Sequence, residues 1–157
     1  MSPEALEAEA RALDGEAEIL ENEADELDKE ADELEEAKGI LIANVNTFVS
    51  SLKSVGANMG SINSILTSTQ DTLMNNEAMA QSNKVKETSD NEASKIEGEA
   101  SAAEAKIDEK IEELRKEANE KRSTAGSKRS TASSKRAQAA SIRAANKKKN
   151  ENKDEKA

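Results

Sequence analysis

Carboxylates and amines are the side chains in this sequence with the charge for acid–base or metal chemistry. The chain holds 33 Asp and Glu and 23 Lys and Arg, but no Cys, His, Trp or Tyr. Without His, the usual base near neutral pH and the commonest metal ligand are missing. Without Cys there is no thiolate nucleophile, no disulfide and no Cys-based zinc site. Pairs of Glu four residues apart recur throughout, as they do in any Glu-rich helix, and a catalytic pair also needs a pocket to hold it. A carboxylate-only metal site needs inward carboxylates, and the spacing below assigns the inward positions to Leu and Ala. No glycine-rich phosphate loop is present. The expectation is a non-enzymatic protein with no catalytic residue, metal or cofactor.

The elements that must position these charges are helices. The chain has 157 residues, one proline (Pro3) and one aromatic (Phe48), with 34% apolar and 36% charged residues. Low hydrophobicity with high charge can mean disorder, whereas Ala, Glu, Lys, Leu and Arg at helical spacing mean long helix. Steps of seven from Leu6 give Leu13, Leu20, Leu27, Leu34, Leu41, Phe48, Val55 and Ile62. A second line, four residues on, gives Ala10, Ala17, Ala24, Ala31, Lys38, Val45, Leu52, Met59, Leu66 and Leu73. We label these lines d and a. The register runs without a skip from Leu6 to Leu73, interrupted in composition by Lys38 and Thr69. A seven-residue repeat implies 3.5 residues per turn and a left-handed supercoil with another helix. So long a helix is not stable as a lone half-apolar rod, and packing must hold it. At its start, Ser2 suits an N-cap, Pro3 the first helical position, and Glu4 the positive end of the helix dipole.

Three seams follow one another. The first alternates Leu with Ala, as in Leu20-Glu-Asn-Glu-Ala24 and Leu27-Asp-Lys-Glu-Ala31. In the second, from Ile40 to Met74, the inward residues enlarge to Val45, Phe48, Leu52, Val55, Met59, Ile62 and Leu66. The neighbouring Ile42, Val49 and Ile65 turn apolar as well. A stripe this wide suits a bundle of three or more helices better than a pair. Its other faces are Ser, Thr, Asn and Gln, which cost less to bury than charge. The third seam steps through Ala93, Ala100, Ile107 and Leu114, with Ile111 and Ala118 four residues beyond. It then becomes a thin line of Ala125, Ala132 and Ala139 flanked by Lys and Arg, whose stems can cover it.

Charge is unevenly placed. Residues 1–39 carry 16 acidic and 3 basic side chains, while residues 121–157 carry 3 acidic and 12 basic. Opposite signs attract, so the acidic head has a basic partner in its own chain. Ser89, Asp90 and Asn91 are turn and cap formers inside a stretch, 82–92, that lacks the core pattern. The expected organisation is therefore a heptad helix over 1–81 (acidic over 1–39, neutral and apolar over 40–81), a turn at 82–92, a second helix over 93–146 and a disordered basic tail over 147–157. Folding back there sets Leu34 beside Lys135 and Phe48 beside Lys121. The fold class is all-α: a long antiparallel coiled-coil hairpin that assembles further into a bundle or filament. Exposed ion pairs add about 0–1 kcal/mol each and serve mainly to set direction and register.

Two resemblances accompany this pattern. Ser2-Pro3-Glu4-Ala5-Leu6-Glu7-Ala8-Glu9-Ala10 and the Glu-Ala-Asp-Glu-Leu repeats resemble designed coiled-coil proteins, which implies an engineered origin. Residues 44–76, including Asn58-Met-Gly-Ser-Ile-Asn-Ser-Ile-Leu-Thr-Ser-Thr69, resemble the neutral helices of secreted bacterial filament subunits of the type III secretion and flagellin kind. That likeness implies polymerisation through the middle of the chain.

The expected function is structural: self-association through the heptad seam. Its candidate residues are Leu20, Leu27, Leu34, Leu41, Val45, Phe48, Leu52, Val55, Met59, Ile62, Leu66, Leu73, Ile107, Ile111 and Leu114. The expected partner is the chain itself. Nucleic acid or an anionic membrane would have to use the basic tail, but no aromatic stands near it to stack on bases, and the acidic head competes for the same charges. No run of apolar residues is long enough for a transmembrane helix and no secretory signal is visible, so the sequence assigns a soluble chain of unassigned compartment.

Overall fold

The computed structural model describes residues 1–69 and 72–155, leaving aside the side chains of residues 72–74, 154 and 155. These residues form two α-helices, α1 (Pro3–Thr67) and α2 (Thr72–Glu155). They pack against each other as an all-α helical hairpin. The direction is antiparallel: Lys121, Lys128 and Lys135 of α2 meet Glu23, Glu16 and Glu9 of α1 in descending order.

Local chemistry sets both ends of α1. The Ala5 amide donates to Ser2 Oγ at 3.1 Å, and the Leu6 amide to the Ser2 carbonyl at 3.1 Å. Ser2 is therefore the N-cap, with Pro3 in the first helical position, where its missing N–H costs nothing. At the other end the Ser68 and Thr69 amides donate to the Ile65 and Leu66 carbonyls, three residues back. Their hydroxyls donate to the same two carbonyls at 2.7 and 2.9 Å. Hydroxyls that satisfy the last carbonyls in this way compete with continued helix, and the three-residue spacing tightens the final turn.

The reversal is thus not at 82–92. Those residues are helical within α2, and α1 stops at Thr67 rather than 81. Ser82 and Ser89 are buried, and the Asp90 carboxylate reaches to within 2.7 Å of where a Cβ on Gly56 would stand. Short polar side chains suit a turn because they hydrogen-bond their own backbone; here their small size lets two helices close on each other. The pairing shifts accordingly. Lys121 meets Glu23 and Lys135 meets Glu9, not Phe48 and Leu34. The tail expected to be disordered is helix as far as Glu155. Its lysines and glutamates have good helix propensity and continue the turn before them.

The hairpin divides into two compact units. The terminal unit joins Met1–Asp32 to the part of α2 from Glu112 onward, and the turn unit is Glu33–Ile111. In the terminal unit Ala10, Ala17, Ala24 and Ala31 lie in the seam with Ala118, Ala125, Ala132 and Ala139, and all eight have no exposed surface. Leu13, Leu20 and Leu27 are half-buried beside them, as are Lys121, Lys128 and Lys135. The lysine stems serve as part of the apolar wall while their ammonium groups reach carboxylates.

In the turn unit one heptad line changes, so the register does not run without a skip. The a line stays inside through Lys38, Val45, Leu52, Met59 and Leu66, all half-buried. The d line does not: after Leu41 the inner residues are Ile42, Val49, Gly56 and Asn63, one position later in the repeat. Ala31 to Ile42 is then an eleven-residue step, which relaxes the left-handed winding of a heptad. The second helix makes the matching step. Its line through Ile107, Ala100 and Ala93 stays inside, while the other passes from Ile111 and Glu104 to Ile96, Ser89 and Ser82. The ion pairs Lys38–Asp108 and Lys53–Glu97 stand on either side of the step in α1.

Candidate assembly interface

Two flanks border the seam in each unit, and they are built differently. In the terminal unit both are ionic. On one, Lys121, Lys128 and Lys135 hold Glu23, Glu16 and Glu9 at 2.8, 2.8 and 2.6 Å. On the other, Arg122 spans Asp25 at 2.9 Å and Asp28 at 2.6 Å. Arg129 grips Glu21 with two bonds of 2.8 and 2.9 Å, Arg136 pairs with Asp14, and Arg143 with Glu7. Two-pronged guanidinium–carboxylate contacts fix geometry as well as charge. The Arg143 hydrogen bond holds the Glu7 carboxyl below the ordinary glutamate value, and the Arg129 bond does the same to Glu21. The hydrogen bond to the Glu23 carboxylate pushes Lys121 above the ordinary lysine value.

In the turn unit one flank is polar and closed. Asn63 Nδ2 donates to Asn83 Oδ1 at 2.6 Å, Asp90 rests against Gly56, and Lys53 pairs with Glu97 at 3.0 Å. Residues 83, 90 and 97 step by seven along this side of α2. The Ser82 hydroxyl donates to the Met59 carbonyl at 3.2 Å across the seam.

The opposite flank is open, and its α1 side is apolar. Phe48, Val55 and Ile62 each precede an inner residue (Val49, Gly56, Asn63) by one position. That is about 100° round the helix, on the far side of the a line. They are 54%, 36% and 40% exposed, and Ile65, three residues past Ile62, is 64% exposed. Val85, also exposed, stands two residues after Asn83, hence about 200° round α2 from the polar flank. A two-helix seam shelters roughly two heptad lines. Here the α1 seam takes the a line and the mixed line of Ile42, Val49, Gly56 and Asn63, and the apolar line of Phe48, Val55 and Ile62 is outside.

The predicted seam residues therefore separate. Ile111 and Leu114 are buried; Leu20, Leu27, Leu34, Leu41, Val45, Leu52, Met59, Leu66 and Ile107 are half-buried. Phe48, Val55 and Ile62, read as inward, are exposed, because the seam slips past them. The Leu73 side chain lies outside the described residues. Sequence reasoning missed Gly56, Asn63, Ser82 and Ser89 as inner positions. The signal was available: 42, 49, 56 and 63 form a seven-step line, as do 82, 89 and 96. Among the described residues, no three carboxylates converge into a group that could hold a metal ion. Among the same residues, no helix is long and apolar enough to cross a membrane.

No protein family, no curated protein and no solved structure matches this chain.

Proposed function

We propose that this chain is a non-enzymatic structural protein that self-associates through the apolar flank of its turn unit. The observation that carries the reading is the exposed line Phe48, Val55, Ile62 and Ile65. Surface apolar residues scattered singly need no explanation, whereas a contiguous row marks an interaction surface. Covering it with helix removes apolar area from water at roughly 25 cal/mol per Å². The neighbouring Ser, Thr and Asn residues add little desolvation cost. The ionic terminal unit then serves to hold one hairpin in register.

The test is molar mass by light scattering over a hundredfold range of concentration, in low and high salt. Association that persists in high salt is the expected result, since an apolar contact is not screened. Phe48→Asp should weaken it at least tenfold with helicity unchanged, because Phe48 is exposed in the hairpin. A chain that stays monomeric throughout overturns the reading. Mass that keeps rising with concentration would make the assembly an open filament, as the resemblance to secreted filament subunits implies. A binding role for the basic residues instead predicts capture of nucleic acid or anionic vesicles that collapses steeply with salt.

A further inference from the structure

We infer that the partner on the apolar flank is a second copy of this chain, laid antiparallel along α1 and centred near Val55. This rests on the self-association reading above and adds the identity and direction of the partner. The first reason is charge. From Ile40 to Thr67, α1 carries a single charged residue, Lys53. Lys53 stands on the closed flank, paired with Glu97. On the α1 side of the open flank, two copies bring no like charges together, and the acidic Glu92 and Glu99, one and two heptads past Val85 on α2, border the contact rather than fill it. A strongly charged partner would find no counter-charge on this stretch of α1.

The second reason is the distribution of bulk along the stripe. In an antiparallel pair centred on Val55, Phe48 of one copy stands opposite Ile62 of the other, and Val55 opposite Val55. Each end then holds one Phe48 and one Ile62, so the two end layers are alike in size. On the adjoining line Ile65 falls beside Asn44, and Asn58 beside Ser51. Ile65 of each copy thus extends the apolar cover past the Phe48 of the other, at both ends of the contact. A parallel pair stacks Phe48 on Phe48 at one end and gathers both Ile65 side chains at the other. Its layers change in size along the contact, and its Phe48 end has only Asn44 on the adjoining line to cover it. Each surface in the antiparallel pair is its own complement, so the contact is isologous and closes at two chains. The stripe from Leu41 to Ile65 is about 36 Å of helix at 1.5 Å per residue. The product is a four-helix arrangement over the turn units.

The chain lacks cysteine, so single introduced thiols report without background. We would oxidise single-Cys variants with diamide and score covalent dimers, with sedimentation of the unmodified chain alongside. The expected result is rapid dimer from Val55→Cys, at least tenfold slower dimer from Phe48→Cys or Ile62→Cys alone, and rapid dimer from an equal mixture of those two. Ala57→Cys is the control for random collision, since Ala57 is exposed and stands about 200° round the helix from Val55. If Phe48→Cys and Ile62→Cys each link rapidly to their own kind and the mixture gains nothing, the pairing is parallel. The antiparallel inference then fails while self-association stands. If sedimentation shows only monomer and Val55→Cys links no faster than Ala57→Cys, both fall. Capture of that monomer on neutral phosphatidylcholine vesicles would name lipid, not a second copy, as what covers the stripe.

Discussion

The two units of this hairpin close on the same seven-residue rhythm by opposite means. The terminal unit packs alanine on alanine and borders the seam with charge on both sides. The turn unit packs glycine, serine and asparagine into the seam, closes one side with amide and carboxylate contacts, and leaves Phe48, Val55 and Ile62 on the other. The difference follows from counting apolar lines. Residues 6–34 of α1 have two, Leu and Ala, and two helices can shelter both. Residues 41–66 add a third line, Ile42, Val49, Gly56 and Asn63, and where it goes in, Phe48, Val55 and Ile62 face outward. Small residues in the seam decide which line it is, because they let the helices approach where the bulky line would hold them apart.

The largest effect should come from filling the alanine seam. Ala24 has no exposed surface, so Ala24→Leu should cost about 1–3 kcal/mol through overpacking, read from urea denaturation monitored by circular dichroism. Val55→Leu, the same kind of enlargement on the open flank, should leave the monomer's stability unchanged. Equal losses at the two positions would mean that Val55 is inside the seam.

Much of this was legible in the sequence, though not all at the same grain. The a line from Ala10 to Leu66 and the 93–114 line on α2 could be read directly, because Leu and Ala at fixed spacing have few competing explanations. The pairing of an acidic head with a basic tail was equally plain, since charge acts over a distance and does not need exact register. The reversal was not legible. All six glycines are helical and the single proline starts α1, so the usual breakers are silent between Thr67 and Thr72. There the helix ends on hydroxyls that bond backwards. Ser89, Asp90 and Asn91 have the composition of a turn but occupy a close helix–helix approach. The slip at Leu41–Ile42 was hidden for a related reason. Both candidate lines are apolar at that point, and only the size of Gly56, Ser82 and Ser89 tells which one goes in.

A polar group inside the turn unit gives a second, smaller contrast. Asn63 Oδ1 is buried and accepts no hydrogen bond, although Nδ2 donates to Asn83. Asn63→Leu should raise stability by about 1 kcal/mol by removing an unpaired polar atom. It should also loosen the register, since a single polar residue in a seam favours one alignment over its neighbours. Broader side-chain NMR lines in a more stable protein would show both effects. Glycine gives a contrast of similar size. A Cβ on Gly60 meets nothing within 4 Å, so Gly60→Ala should gain up to about 1 kcal/mol of helix propensity. At Gly56 the same change displaces the Asp90 carboxylate, so the gain should be smaller and should recover in the double variant with Asp90→Ala.

Acid should separate the units next. Glu7 and Glu21 titrate below the ordinary glutamate value, held down by Arg143 and Arg129. Their contribution is therefore complete above that ordinary value and fades as pH falls through the lowered ones. Lys121 runs the other way. Its raised value means a contribution complete below the ordinary lysine range and lost only as pH rises through the raised one. Hydrogen exchange at decreasing pH, corrected for intrinsic rates, should show terminal-unit amides losing protection before those of Val49 and Ala93. Simultaneous loss would mean that the ionic flanks do not hold the terminal unit by themselves.

The smallest effect expected is at a single rung of the arginine ladder. Arg129 meets Glu21 through Nε and Nη2 at once. Arg129→Lys keeps the charge but replaces a planar fork with a point charge on a flexible stem. Both partners are exposed at the surface, where an ion pair adds little. The stability change should be barely measurable, present at low salt and absent at high salt. What should change is order: the Glu21 side chain, released from two fixed bonds, should sample more rotamers by NMR. If Arg129→Lys instead destabilises the hairpin as much as Ala24→Leu does, the flank outweighs the seam, and the terminal unit is held mainly by charge rather than by alanine packing.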